Sequence, residues 1–237
     1  MKEVNKKQFA RAFVDFATAL CLVLLAAYAR LGDAFHEWCG LGMALMVVAH
    51  QALNWRWYRA LFRGRRSFAR EISTLVNFAA LALVVALLVS GAAMNRHVFA
   101  FLQVEKGAAL AREVHLAAAF WLYAVAFIHA GMRANVLAAF ILPRKFPDAI
   151  RRSGKVLGSL LAGYGAYATV RRGFIGYMTL KNKFVFYDLS ESALRFFADY
   201  LAIAAFFCVL GCALEYALKK TRKTSPLSTR ISTKLEQ

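Results

Sequence analysis

An all-α, polytopic transmembrane bundle of about six spans is the fold class this sequence predicts, and three observations predict it. Of the 237 residues, 60% are hydrophobic and only 19% charged, against about 45–50% and about a quarter in soluble domains. The apolar residues come in runs of about 20, the length that crosses a hydrocarbon core as a helix. The net charge is +18, and the basic residues sit between those runs, as they do in the cytoplasmic loops of membrane proteins. A soluble protein this apolar lacks the polar surface to cover itself. A soluble nucleic-acid binder, a disordered chain, a collagen and a disulfide scaffold are therefore disfavoured, and no nucleic-acid partner is expected.

The first span is expected from about Phe13 to Leu31, after Lys2, Lys6, Lys7 and Arg11. It is too long for a cleaved signal peptide and lacks a small-residue cleavage site, so it reads as a retained helix. The second is expected from about His36 to Tyr58 and the third from about Ile72 to Met94. The fourth runs from about Glu113 to Ile141, where Pro143 stops it. The last runs from about Ala193 to Leu218.

Orientation follows from the loops. Arg56, Arg59, Arg63, Arg65, Arg66 and Arg70 crowd the link between the second and third spans, and Arg144, Lys145, Arg151, Arg152 and Lys155 follow the fourth. The 31–36 link and the 95–112 loop are less basic, so the N-terminus and the two dense basic loops are assigned to the cytoplasm. The tail carries Lys219, Lys220, Arg222 and Lys223 and belongs inside as well, which demands an even number of spans. The glycine-rich run 156–170 supplies the missing one as a short or tilted fifth span, leaving 173–192 as an amphipathic outer-surface stretch. A re-entrant or interfacial helix is the other reading of that run. The expected organisation is thus a four-helix transmembrane bundle over 1–142, a C-terminal membrane part over 143–218, and a disordered cytoplasmic tail over 219–237. Cys21, Cys39, Cys208 and Cys212 form no C-x-x-C pattern and read as small packing residues.

The histidines carry the functional signal. His36 and His50 lie fourteen residues apart on the second span, and His115 and His129 fourteen apart on the fourth. Fourteen residues are within about 40° of four full helical turns, so each pair shares one face, about 21 Å apart along the axis. Both spans run from outside to inside, so His36 is level with His115 near the outer surface and His50 with His129 near the inner one. Two imidazoles facing each other at one height suit the two axial positions of a haem iron, and repeating the pair gives two haem b sites across the bilayer. The separation of about 21 Å rules out one metal shared by all four. Gly40 and Ala119, one turn below His36 and His115, leave room for a macrocycle; Arg112, Arg133 and Asn54, a turn from the histidines, are candidate propionate partners. His97 has no partner at this spacing and reads as a surface histidine or part of an outer quinone or partner site. Among the carboxylates, Asp15 and Glu215 read as interfacial, whereas Asp199 is the better proton or quinone candidate, with a structural hydrogen bond as the alternative.

The stretch HEWCGLGMALMVVAHQALNWRWY (36–58), together with SGAAMNRHVFAFL (90–102) and AREVHLAAAFWLYAVAFIHAGM (111–132), resembles the bacterial DUF4405 family of cytochrome b-like membrane proteins. YGAYATVRRG and FVFYDLSESALRFFADYLA are similar to that family's C-terminal part, so the resemblance covers about residues 10–215. After His129 the chain reads AGMRAN, where the family pattern is richer in histidine and tryptophan. The resemblance implies a cytochrome of the bacterial cytoplasmic membrane that carries electrons through it, exchanging them with quinone or with an extracytoplasmic redox partner. A small transporter and a structural membrane anchor without haem are the alternative classes. The first predicts broken helices with paired polar residues at mid-membrane, and the second gives no reason for four matched histidines.

Overall fold

The computed structural model describes residues 6–63, 67–98, 107–134, 148–188 and 190–223. These are overwhelmingly helical, with no strand among them. Arg65, Arg66, Pro143, Arg144, Lys145, residues 99–106 of the 95–112 loop and the tail from 224 lie outside the described residues. In chain order the helices are α1 (Lys6–Leu25), α2 (Tyr28–Leu31), α3 (Asp33–Leu53), α4 (Trp55–Ala60), α5 (Phe68–Met94), α6 (Ala108–Met132), α7 (Asp148–Arg171), α8 (Phe174–Met178) and α9 (Ala193–Lys223).

Three expected boundaries are corrected. The first span stops at Leu25, and a separate turn, α2, follows before Gly32 takes φ +85°, a left-handed conformation open to glycine at little cost. The carbonyl freed at this break, on Ala26, accepts from the Tyr187 hydroxyl at 3.2 Å. Burial pushes the Tyr187 phenol up to about 12, so it keeps the proton that this bond needs. The second span ends at Leu53, and Asn54 turns the chain into α4. The fourth ends at Met132, with Arg133 as its cap, nine residues before Ile141. The apolar run 156–170 belongs to a longer helix, α7, that begins at Asp148.

The six long helices among the described residues alternate in direction, and polar contacts at their ends establish it. Arg11 near the start of α1 donates to the Leu53 carbonyl at the end of α3, at 3.2 and 2.7 Å. Glu37 near the start of α3 accepts from the backbone N–H groups of Arg96, His97 and Val98, just past the end of α5. Arg133 at the end of α6 reaches Ser73 near the start of α5 at 3.2 Å. Arg171 and Arg172 at the end of α7 meet Asp199 near the start of α9. Each contact also satisfies a helix-end carbonyl, an N–H or a charge that apolar surroundings would penalise.

Packing divides the bundle into an α1–α3 hairpin and a row in which α5 packs on α6, α6 on α9 and α9 on α7. The α6–α9 and α7–α9 crossings are close because glycine lies at each. A Cβ on Gly131 would strike the Cys208 carbonyl, one on Gly211 the Ile128 carbonyl, and one on Gly165 the Ala202 carbonyl. Close backbone approach through small residues is the usual route to helix association in membranes. Cys208 and Cys212 lie at this crossing, with Cys212 Sγ 3.3 Å from the Gly131 carbonyl, as packing residues do. The core is aromatic where α6 and α8 meet. Phe120 stacks on Tyr177 at 4.6 Å and meets Phe174 edge-on at 4.8 Å, so α8 folds back onto α6 and buries Phe174 fully.

Four helices, α1, α5, α6 and α9, are long and apolar enough to cross a membrane, which marks the chain as a membrane protein. Their outward faces stay apolar. On α1, Phe9, Phe13, Phe16 and Leu20 make a helical stripe that is 47–69% exposed, a surface suited to lipid. At 21 residues, α3 has the length to cross, but His36, Glu37, His50 and Gln51 lower its hydropathy.

Candidate functional site

The structure brings the four histidines together in two pairs. The His36 and His115 ring centroids are 6.0 Å apart, and those of His50 and His129 are 6.4 Å apart. α3 and α6 therefore run parallel with their fourteen-residue spacings in register, although α3 packs mainly against α1 and α6 against α5 and α9. Two imidazoles on opposite sides of one metal ion, each with a metal–nitrogen bond of about 2 Å, have ring centroids about 6 Å apart. Both pairs match that separation. Among the described residues no three His, Cys, Asp or Glu side chains gather to hold a metal by themselves. Two histidines per level suit an ion that brings its other ligands with it, as haem iron does.

Ring orientation is set by polar partners on neighbouring helices. Asp15 Oδ1 on α1 lies 2.7 Å from His50 Nδ1. The carboxylate accepts, so Nδ1 carries the proton and the Nε2 lone pair is left for a ligand. On the other level, Ser90 Oγ on α5 lies 3.1 Å from His115 Nδ1. Ser90 has one hydroxyl proton; assigned to its shortest acceptor, the Ala86 carbonyl at 2.6 Å, it leaves Oγ to accept from His115 Nδ1 and Nε2 of His115 free. Gly91 makes this seat possible, because a Cβ there would press on His115 Cε1 at 3.2 Å. One histidine of each pair is thus assigned the Nδ1–H tautomer. Sequence reasoning missed both partners in this role. Asp15 lies 35 residues from His50 and Ser90 lies 25 from His115, with only their polarity in apolar helices as a signal.

His36 is held differently. Its buried Nδ1 makes no hydrogen bond of good geometry, the Leu25 carbonyl being the polar group beside the ring, and the ring meets Tyr28 at 5.2 Å. A buried imidazole nitrogen without a partner is costly unless something else binds it. Beside it α3 is open: a Cβ on Gly40 or Gly42 would meet nothing within 4 Å. The fit to a haem therefore rests on three features, the ring separations, the free lone pairs and the open glycine face.

The flanking residues divide. Ala119 is partly buried against the core, and Arg112 is exposed one turn before His115. Arg133 is exposed and donates to Ser73 at 3.2 Å. The Asn54 amide donates to the His50 carbonyl at 2.9 Å, closing the end of α3, so its amide group is committed to the backbone. His97 does have a partner, Glu37, 3.2 Å from its Nδ1. Glu215 pairs with Lys219 at 3.0 Å within α9.

Asp199 is fully buried, and both of its oxygens are engaged. Oδ1 accepts from the Tyr164 hydroxyl at 2.5 Å; Oδ2 lies 2.7 Å from Arg172 Nη2 and 3.4 Å from Arg171 Nη1. Glu191 joins the cluster by accepting from Arg172 at 2.8 Å, and Arg30 reaches the Glu191 carbonyl at 2.6 Å. The guanidinium groups of Arg30 and Arg172 each lie 5.3 Å from the Phe196 ring. A carboxylate so fully paired clamps α7 to α9, with α2 joined through Arg30 and Glu191, which is the structural alternative for Asp199. An open polar cleft of about 610 Å³ lies over the cluster, lined by Arg171, Arg195, Asp188 and Glu191 among others.

No protein-family model, curated protein or solved structure matches the chain.

Proposed function

We propose that the chain is a b-type dihaem cytochrome, of the kind the DUF4405 resemblance implies, that carries electrons across the bacterial cytoplasmic membrane. The observation that carries this reading is the pair of facing histidine rings at each of two levels, 6.0 and 6.4 Å between centroids. His36 and His115 would hold the outer haem, and His50 and His129 the inner one. Gly40 leaves space beside the outer site and Ala119 is small enough to do the same, while Arg112 and Arg133 are the cations available to propionates. Haem iron bound at these positions supplies reversible one-electron chemistry in apolar surroundings. The chain's own part is to orient the imidazoles, exclude water with its aromatic outer plug, and offer a docking surface at the outer end. There the 31–36 link, α8 and the polar cleft stand next to the outer pair, the side on which a quinone head group or an extracytoplasmic redox partner would exchange electrons.

Six spans with both termini inside suit this reading. Ligation would mask the polarity of His36 and His50 and let α3 cross, and the apolar part of α7 would cross as the fifth span. The alternation of the six long helices supports the same arrangement. The contact of Lys183 with Glu113 at 2.7 Å sets the 180–192 segment at the end of the bundle where α6 begins.

A pyridine haemochrome assay on the purified full-length chain tests the function. Two haem b per chain are expected. A chain without haem would leave the transporter or anchor as the better reading. Topology is tested by a membrane-impermeant thiol reagent on spheroplasts of Lys106→Cys and Lys181→Cys variants. Both are expected to react, and reaction at residue 106 alone would mean that α7 does not cross.

A further inference from the structure

We infer that Asp15 and Ser90 are positioning residues for the two haem sites, and that Asp15 depresses the reduction potential of the inner site by more than Ser90 depresses that of the outer. This inference rests on the dihaem reading. Each residue sits on a helix that supplies no haem ligand, Asp15 on α1 and Ser90 on α5, and each holds the Nδ1 of one ligand histidine. A ligand histidine commonly gives its second N–H to a carboxylate, carbonyl or water, which fixes the ring and raises the basicity of the ligating nitrogen.

The two partners differ in what they add. Ser90 is neutral, 4% exposed, and spends its own proton on the Ala86 carbonyl, so it offers His115 an acceptor without net charge. Asp15 offers His50 a carboxylate at 2.7 Å, the shorter and charge-assisted bond. Pulling on the Nδ1 proton shifts electron density toward Nε2, and a more basic imidazole favours the ferric over the ferrous iron. At the outer site the second ligand, His36, has no side-chain partner on Nδ1, so Ser90 is the side chain that tunes that pair. Arg11, one turn before Asp15, is engaged by the Leu53 carbonyl, which leaves the Asp15–His50 bond as the direct contact to a ligand.

The test is a spectroelectrochemical titration of the haem-loaded full-length chain, followed in the visible bands. Reading the inner site alone requires the H115A background, and reading the outer alone requires H50A. In the H115A background, D15N is expected to retain its haem and raise the reduced-to-oxidised ratio at fixed potential about tenfold, a shift of about 59 mV for one electron. S90A in the H50A background is expected to move its step by less than half as much, and D15E to return the inner step toward its original value. An inner step that D15N leaves in place, or equal shifts from D15N and S90A, would overturn the inference while leaving the dihaem reading intact. Loss of the inner haem in D15N but not in D15E would support the positioning role; loss in both, in a monodisperse protein, would overturn it. An unsubstituted chain that carries no haem would overturn the reading beneath, an outcome distinct from all of these.

Discussion

On the dihaem reading, replacing His50 or His129 with alanine is expected to lower haem content from two per chain to one, and replacing His36 or His115 should do the same by removing the other haem. The reason is geometric. Each ring has one counterpart, at 6.0 or 6.4 Å, and the other level lies about 21 Å away along the helices. A single axial imidazole left in apolar surroundings binds far more weakly than a facing pair, so each loss should be local. Sites this far apart with no shared partner behave independently. The double variant H50A/H115A is therefore expected to lose both haems. The measurement is haem per chain by pyridine haemochrome, with protein quantified separately. Two haems retained in any of the four single variants would place the ligands elsewhere.

Replacing Asp199 with alanine is expected to destabilise the bundle by about 3–5 kcal/mol, the usual cost of removing one member of a buried ion pair. The side chain is 0% exposed, and its loss would remove one of two carboxylates that neutralise Arg172 along with the hydrogen bond to Tyr164. Glu191 still accepts from Arg172 at 2.8 Å, which puts the expectation toward the lower end of that range. For a chain of this size that corresponds to a midpoint lowered by about 10 °C. Asp199→Asn keeps an acceptor for Tyr164 and is expected to fall between the two. Thermal denaturation of the detergent-solubilised protein reads all three. If D199A matched the original chain in stability yet slowed reduction of the haems by quinol, Asp199 would belong to the reaction and not to the scaffold.

The sequence by itself determined the class of this protein and the heights of its histidines. Apolar runs of about 20 residues admit one structure in hydrocarbon, a helix that satisfies its own backbone. Once α3 and α6 are helices, a fourteen-residue spacing places His36 over His50 and His115 over His129 whatever surrounds them. Helix periodicity is a local property, so it could be read from the chain alone. What the local pattern left open was rotation and packing. Whether the two histidine faces turn toward each other depends on how α1 and α5 hold α3 and α6, and only the tertiary structure decided that. The same holds for Asp15 with His50, Ser90 with His115, Glu37 with the end of α5, and Asp199 with Arg172: each pair joins helices that periodicity treats separately. The breaks at Leu25 and Leu53 were hidden for the same reason. The residues at Leu25 are as apolar as the helix before them, Asn54 and Arg56 are only a weak local signal at Leu53, and the groups that take up the freed carbonyls, Tyr187 and Arg11, come from elsewhere in the fold. Burial makes an unpaired polar group expensive, so these partners are specific, but their identity lies in three-dimensional proximity and not in sequence spacing.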